Sequence, residues 1–260
     1  MRAPWLAEIP GARTLVLAAS VGLVLVSAVA RGQESGKACA VSPDSFAGAG
    51  PLERTRTKLA AGKPVTIVAI GGASTLGRAA GAVEHAWPAR LANALATRFP
   101  GSRVQVVNRG VARETAFDML ARFQRDVLVT RPTLVIWETG TTEAVRGDDL
   151  DAFRVTLQTG IQRVRGSGAE IMLMDMQFAR PAAAMINLER YRTALREVAD
   201  ASDVPMFPRH DVMRAWVEAG VFDFGVREGE KSQAVAVQLY DCLGRAIAQF
   251  VARGAVDGRP

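Results

Sequence analysis

Residues 65–77 read Val65-Thr66-Ile67-Val68-Ala69-Ile70-Gly71-Gly72-Ala73-Ser74-Thr75-Leu76-Gly77. From Val65 to Ile70 the run is uncharged and, Thr66 apart, apolar. That is the pattern of a strand covered on both faces within a parallel sheet. It halts at Gly71-Gly72, turns through small residues and enters a helix-prone segment. Strand, glycine turn, helix is how α/β proteins place chemistry at the carboxyl end of a strand. A tight turn with no further role is the plainer account of the two glycines.

The rest of the chain repeats this unit. Further strands are expected at Val104 to Val107, Leu134 to Trp137, Ile171 to Met174 and Val204 to Phe207. Helical stripes lie between them: Leu91, Leu95 and Phe99; Met119, Leu120, Phe123 and Val127; Leu150, Phe153, Leu157, Ile161 and Val164; Leu188, Tyr191, Leu195 and Val198. A last helix is expected from about Gln233 to Ala252, and a short one from Leu52 to Ala61. Five alternations with short joins call for a parallel sheet with helices on both faces.

The N-terminus reads differently. Arg2 and Arg13 precede an uncharged run from Thr14 to Ala30 that ends in Ala28-Val29-Ala30, a small-x-small cleavage pattern. Residues 1–30 therefore read as a secretory signal peptide, with an uncleaved membrane anchor facing the periplasm as the alternative. Residues 31–62 read as linker and lead-in, 63–254 as the domain and 255–260 as a tail. A secreted or periplasmic location follows. In such a compartment the two cysteines, Cys39 and Cys242, point to a disulfide rather than two buried thiols. The formal net charge of +6 is spread along the chain without a basic block, which argues against nucleic-acid binding. Two cysteines and two distant histidines make no metal pattern, and no cofactor is expected.

The loops at the strand ends carry a resemblance. GGASTLG after the first strand, NRGVARET after the second, ETGTTEAVRG after the third and YDCLGRAIA in the last helix are similar to the blocks of the SGNH (GDSL-type) hydrolase superfamily. The likeness covers Pro64 to Val251. It implies a three-layer α/β/α sandwich of flavodoxin-like type with a five-stranded parallel sheet. It also implies ester hydrolysis by a Ser-His-Asp triad, with an oxyanion hole from a Ser N–H, a Gly N–H and an Asn side chain. In the resembled architecture the last helix packs near the first strand, which brings Cys242 towards Cys39.

Carried over residue by residue, the nucleophile position falls on Ala73, the oxyanion glycine on Arg113, the asparagine on Thr142, the aspartate on Lys231 and the histidine on Ala234. All five are changed. Ser74 is a displaced candidate nucleophile, or a plain helix cap. His210 is a candidate base, or a surface or capping histidine. His85 and Asp241 read as solvated. Glu114, Glu138 and Glu143 sit at strand exits without a defensible acid–base spacing.

A serine without an adjacent base is a poor nucleophile. The expectation is a catalytically degenerate, exported protein that binds a ligand or partner through Gly72, Ser74, Arg113, Thr142 and Lys231. An anionic glycan, a carboxylate or an envelope protein are the candidate partners, with membrane contact only through residues 14–30 if these are retained. A weak or rearranged carbohydrate or acyl esterase using Ser74 is the alternative.

Overall fold

Side chains along β1 (Val65–Gly71) divide between two faces. Ile67 and Ala69 enter one apolar cluster, Val68 and Ile70 the other. β3 (Leu134–Glu138) and β4 (Glu170–Met174) repeat the division. Leu134, Ile136, Met172 and Met174 lie on the first side, and Val135, Trp137, Ile171 and Leu173 on the second. A period of two with both sides covered explains why these runs are apolar throughout.

With β2 (Val104–Gly110) and β5 (Met206–Phe207) they form a five-stranded sheet in the order β2-β1-β3-β4-β5, all neighbours parallel. The order reverses at β1, so the exits of β1 and β3 diverge into a crevice, where ligands bind in open α/β sheets.

The computed structural model describes residues 39–46, 50, 52–178, 188–224 and 229–253. The expected signal peptide and the 255–260 tail lie outside them. The helices are α1 (Glu53–Ala60), α2 (Ala73–Leu76), α3 (Trp87–Arg98), α4 (Ala116–Ala121), α5 (Thr141–Arg146), α6 (Leu150–Gly166), α7 (Leu188–Ala201), α8 (Arg209–Glu218) and α9 (Glu230–Ala252). Leu91 and Leu95 of α3 and Leu239, Leu243 and Ile247 of α9 cover the first face. Phe153, Leu157 and Ile161 of α6 and Leu195 and Val198 of α7 cover the second. The result is the expected three-layer α/β/α sandwich. Among the described residues no helix is long and apolar enough to cross a membrane.

Three details differ from the sequence reading. β5 is only two residues long. The stripe after Met119 does not make one helix: α4 ends at Ala121, then a wide turn and a tight turn lead to Arg131 at φ 48°. The residue before a proline is disfavoured in the right-handed helical region, and Pro132 follows. Helix α8 was not expected, although Val212, Met213, Trp216 and Val217 have helical spacing and are buried.

The described part of the lead-in contributes to the core. Cys39, Phe46, Leu52 and Leu59 are buried in the first cluster. The Phe46 ring lies 5.9 Å from that of Phe207 and 5.3 Å from that of Phe250. No side chain caps α1 from its own N-cap, and Glu170 of β4 accepts from the backbone N–H of Arg54 (2.7 Å) and Thr55 (2.8 Å) instead. A carboxylate there satisfies orphan donors and complements the helix dipole.

Cys39 and Cys242 are bridged, with their Cα atoms 5.5 Å apart. The bridge closes a loop of 203 residues in sequence. In the chain-entropy model that constrains the unfolded chain by up to ~5 kcal/mol. Cysteine-to-serine replacement at both positions is expected to lower stability by about 2–5 kcal/mol in urea unfolding. Thiol labelling of the denatured wild type should find no reactive cysteine until reductant is added, and two labelled thiols beforehand would refute the bridge.

Candidate functional site

The cleft at the carboxyl ends of β1 and β3 has a floor built on one carboxylate. Glu138, the last residue of β3, is buried. Its Oε2 accepts from the Thr75 hydroxyl (2.6 Å) and the Gly72 backbone N–H (3.2 Å). Its Oε1 faces Arg209 Nη1 of α8 at 3.2 Å. Arg209 is wholly buried, and its Nη2 donates to Gln177 Oε1 at 3.3 Å. Glu138 thus joins the exits of β1 and β3 to α8.

Glycine at 71 and 110 makes room for this. A Cβ on Gly71 would lie 2.2 Å from Thr75 Oγ1 and 2.6 Å from Glu138 Oε2. A Cβ on Gly110 would lie 2.2 Å from the Leu76 backbone nitrogen. β2 therefore passes directly against α2. Asn108 fastens it there, donating to the Thr75 carbonyl (2.7 Å) and accepting from the Gly110 N–H (2.9 Å).

Above this floor opens a cleft of about 730 Å³. Gly72, Ala73, Ser74, Arg113 and Thr142 line it, so the structure brings these expected residues together. Arg78, Arg146, Gln177 and Tyr240 also line it and were not singled out from the sequence. Arg78, Arg113 and Arg146 are exposed and form a cationic rim. Arg146 donates to the Arg113 carbonyl at 3.1 Å, which ties α5 to the loop after β2. Arg113 stands at φ 68°, the left-handed region glycine prefers. Tyr240 is buried, which pushes its hydroxyl above the usual tyrosine range; Arg209 opposes the shift and Glu138 reinforces it.

Other expected residues lie elsewhere. Lys231 and Ala234 are exposed on the first turns of α9 and do not line the cleft, which corrects the placement of Lys231 there. The helix starts at Glu230, before its apolar stripe begins, and the Lys231 and Ala234 side chains face solvent. His210 pairs with Asp211 at 3.3 Å and packs its ring edge-on to Phe178 at 5.2 Å. His85 Nδ1 faces the Ala80 carbonyl at 3.4 Å. Neither histidine lines the cleft. The Ser74 hydroxyl is shielded from solvent and makes no well-formed hydrogen bond among the described residues; its neighbour is the Tyr240 hydroxyl, whose upward shift it opposes. Glu114 is committed to Arg122 at 2.6 Å. Among the described residues no acidic, histidine or cysteine cluster fits a metal ion.

A family model, the non-GDSL lipase-like family, matches residues 38–257. The chain belongs to that family. It is therefore a member of the SGNH/GDSL hydrolase superfamily. An arylesterase from Vibrio mimicus is 28% identical over 95 residues, which is 36% of this chain and 46% of that protein, so the match spans under half the relative's length. Among solved structures, a G-D-S-L family protein from Desulfitobacterium hafniense superposes with a TM-score of 0.56 at 20% identity, covering 72% of this chain and 99% of that one. The lipase/acylhydrolase from Enterococcus faecalis gives 0.60 at 21% identity, covering 73% and 96%. A two-domain esterase active on acetylated mannans gives 0.64 at 19% identity, covering 82% and 56%. At these identities the agreement establishes the SGNH esterase fold.

Two measurements test the buried carboxylates. Arg209→Met leaves Glu138 uncompensated and should cost about 3–5 kcal/mol in urea unfolding. Adding Glu138→Gln should recover part of that loss. Glu143 of α5 is buried; its Oε1 accepts from the Ala116 backbone N–H and its Oε2 has no partner among the described residues. Burial pushes its pKa above the ordinary 4.5, against those hydrogen bonds. The folded state then holds this proton more tightly than the unfolded chain. Stability from this group is greatest below pH 4.5 and declines as pH rises through the raised folded value. Glu143→Gln should remove that decline, read as the difference between mutant and wild-type urea midpoints from pH 4 to 8; a pH-independent difference would contradict it.

Proposed function

We propose that the protein is an exported, non-hydrolytic member of its superfamily that binds an anionic ligand in the cleft, an acidic glycan or a carboxylate. The carrying observation is the chemistry beneath the cleft. The nucleophile position presents the methyl of Ala73, the adjacent Ser74 hydroxyl is shielded, and no histidine lines the cavity. Among the described residues the one carboxylate in the lining, Glu138, is held by Arg209, Thr75 and Gly72 and is not free to act as a base. An acyl transfer needs an accessible nucleophile and a base in hydrogen-bond reach.

The cationic rim supports the ligand class. Arg78, Arg113 and Arg146 overhang a cavity with no free carboxylate among the described residues, and converging like charges raise the local concentration of a counter-ion. Arginine also offers paired donors that match a carboxylate. The activity of a structural relative on acetylated mannans favours a saccharide over other carboxylates. Export rests on Arg2, Arg13, the uncharged run to Ala30 and the Cys39–Cys242 bridge, which fits an oxidising compartment such as the periplasm.

Turnover of p-nitrophenyl acetate is expected to be equal in wild type and Ser74→Ala. Activity lost in that variant would replace this reading with a rearranged esterase. In calorimetry with glucuronic acid, Arg113→Ala should weaken binding about tenfold, the scale of one charge-assisted hydrogen bond. Lys231→Ala should leave it unchanged, and added salt should weaken the wild type.

A further inference from the structure

Cations that lie far apart in the sequence meet at the end of the sheet opposite the cleft. Because the strands are parallel, the segments that feed β1, β2 and β3 all enter at this end. Lys63, Arg103 and Arg131 stand in those segments and are exposed. The Val65 N–H donates to the Arg103 carbonyl at 3.0 Å, which sets Arg103 beside the entry of β1. A hollow of about 630 Å³ opens at the same end, with Arg54, Lys58, Lys63 and Arg165 in its lining. Glu53 and Glu170 line it too, and Asp200 and Asp203 stand at and just after the end of α7. Glu170 is committed to α1, accepting from the Arg54 and Thr55 N–H groups and, at 2.6 Å, from the Thr55 hydroxyl.

The cations themselves are held by neutral acceptors. Arg54 donates to the Gly168 carbonyl, Lys58 to the Thr133 hydroxyl at 3.1 Å and Arg165 to the Asp203 carbonyl at 2.8 Å. Among the described residues no ion pair includes Arg54, Lys58, Lys63 or Arg165. Their positions are set while their charge is left for something outside the domain. Helix dipoles explain part of the pattern, since Lys58 and Arg165 lie in last turns. Dipoles do not explain Lys63, Arg103 and Arg131 in the joins. Nor do they explain Arg54 in the first turn of α1, where a cation is disfavoured.

We propose that this end of the domain docks on anionic phospholipid headgroups. The strand entries from β2 to β4 span about 15 Å, a width suited to several headgroups rather than one small anion. Lysine and arginine both bind phosphate oxygens, and each cation near an anionic membrane surface adds to the attraction. Docking here turns the cleft, at the carboxyl ends of the same strands, away from the bilayer and leaves it open. Either reading of the uncharged run from Thr14 to Ala30, signal peptide or anchor, brings the chain to a membrane. The docking face is independent of what the cleft binds.

Flotation of the intact, disulfide-bonded protein with phosphatidylcholine vesicles, with and without phosphatidylglycerol, tests this. Any hold that residues 14–30 have on a bilayer is common to both vesicles, so the ratio of affinities reads the charged face. Phosphatidylglycerol should strengthen binding by at least about tenfold, and added salt should remove the gain. The triple variant Lys63→Ser, Arg103→Ser, Arg131→Asn should lose about a hundredfold, and Lys63→Ser alone about fivefold. Asparagine tolerates the left-handed backbone at position 131, and an unchanged urea midpoint reports an intact fold. Arg113→Ala, in the cleft, should bind vesicles as the wild type does, and glycerol phosphate in solution should not displace the protein. Equal binding to both vesicles, or a gain retained in the triple variant, would overturn the docking face. Displacement by glycerol phosphate would replace it with a small-anion site in the hollow. Loss of the gain in Arg113→Ala would move the binding to the cleft.

Discussion

Glu138 holds the functional end of this fold together. Its two oxygens take donors from the turn after β1 and from α8, and the residue itself ends β3. A buried carboxylate with one partner removed is among the most destabilising single defects a core can hold. The same charge explains neighbouring choices. Thr75 must be a donor, Gly71 must lack a Cβ, and Arg209 must be buried to reach it. The Arg209 Nε lies buried without a partner among the described residues, so this network is not fully satisfied. Its retention is easier to understand as fixing the geometry of the β1 turn than as a source of net stability.

That fixing bears on catalysis. In a hydrolase the turn after the first strand must present a hydroxyl outward, with a base beside it. Here the turn is fastened from below by Glu138 and from the side by Asn108, and what it turns outward is Ala73. The non-hydrolytic role proposed above would then be the loss of one group from an otherwise intact scaffold. Binding survives such a loss more readily than chemistry, because a cleft with preformed walls needs no proton transfer to hold a ligand.

The layers were legible from sequence because burial on both faces writes an unbroken apolar run. β1, β3 and β4 are such runs, and the long stripes of α6, α7 and α9 are equally plain. β5 and α8 were harder for opposite reasons. β5 forms only two residues of ladder, too few to show a period. α8 has its stripe, Val212, Met213, Trp216 and Val217, but opens on Arg209-His210-Asp211, which reads as an exposed loop. Arg209 and Glu138 were missed as a pair because 71 residues separate them, and an ion pair leaves no local spacing. The cleft residues 72–74, 113 and 142 were found through the loops of the resembled family. Arg78, on the tight turn after α2, and Arg146, the last residue of α5, gave no spacing signal of their own.

Arg113 holds a strained backbone conformation at the mouth of the cleft. Its φ of 68° is a conformation that glycine adopts freely and that costs a side-chain-bearing residue about 1–2 kcal/mol. The loop keeps this shape because its neighbours require it. Arg146 holds the Arg113 carbonyl, and the Val111 N–H donates to the Gly71 carbonyl at 2.9 Å. Once the loop is held from both ends, the identity of the residue at its turn is set by what its side chain does. Glycine would relieve the strain and leave the rim with one charge fewer. An arginine in a glycine conformation at the mouth of a cleft fits the anionic ligand proposed above, to which it would present its guanidinium.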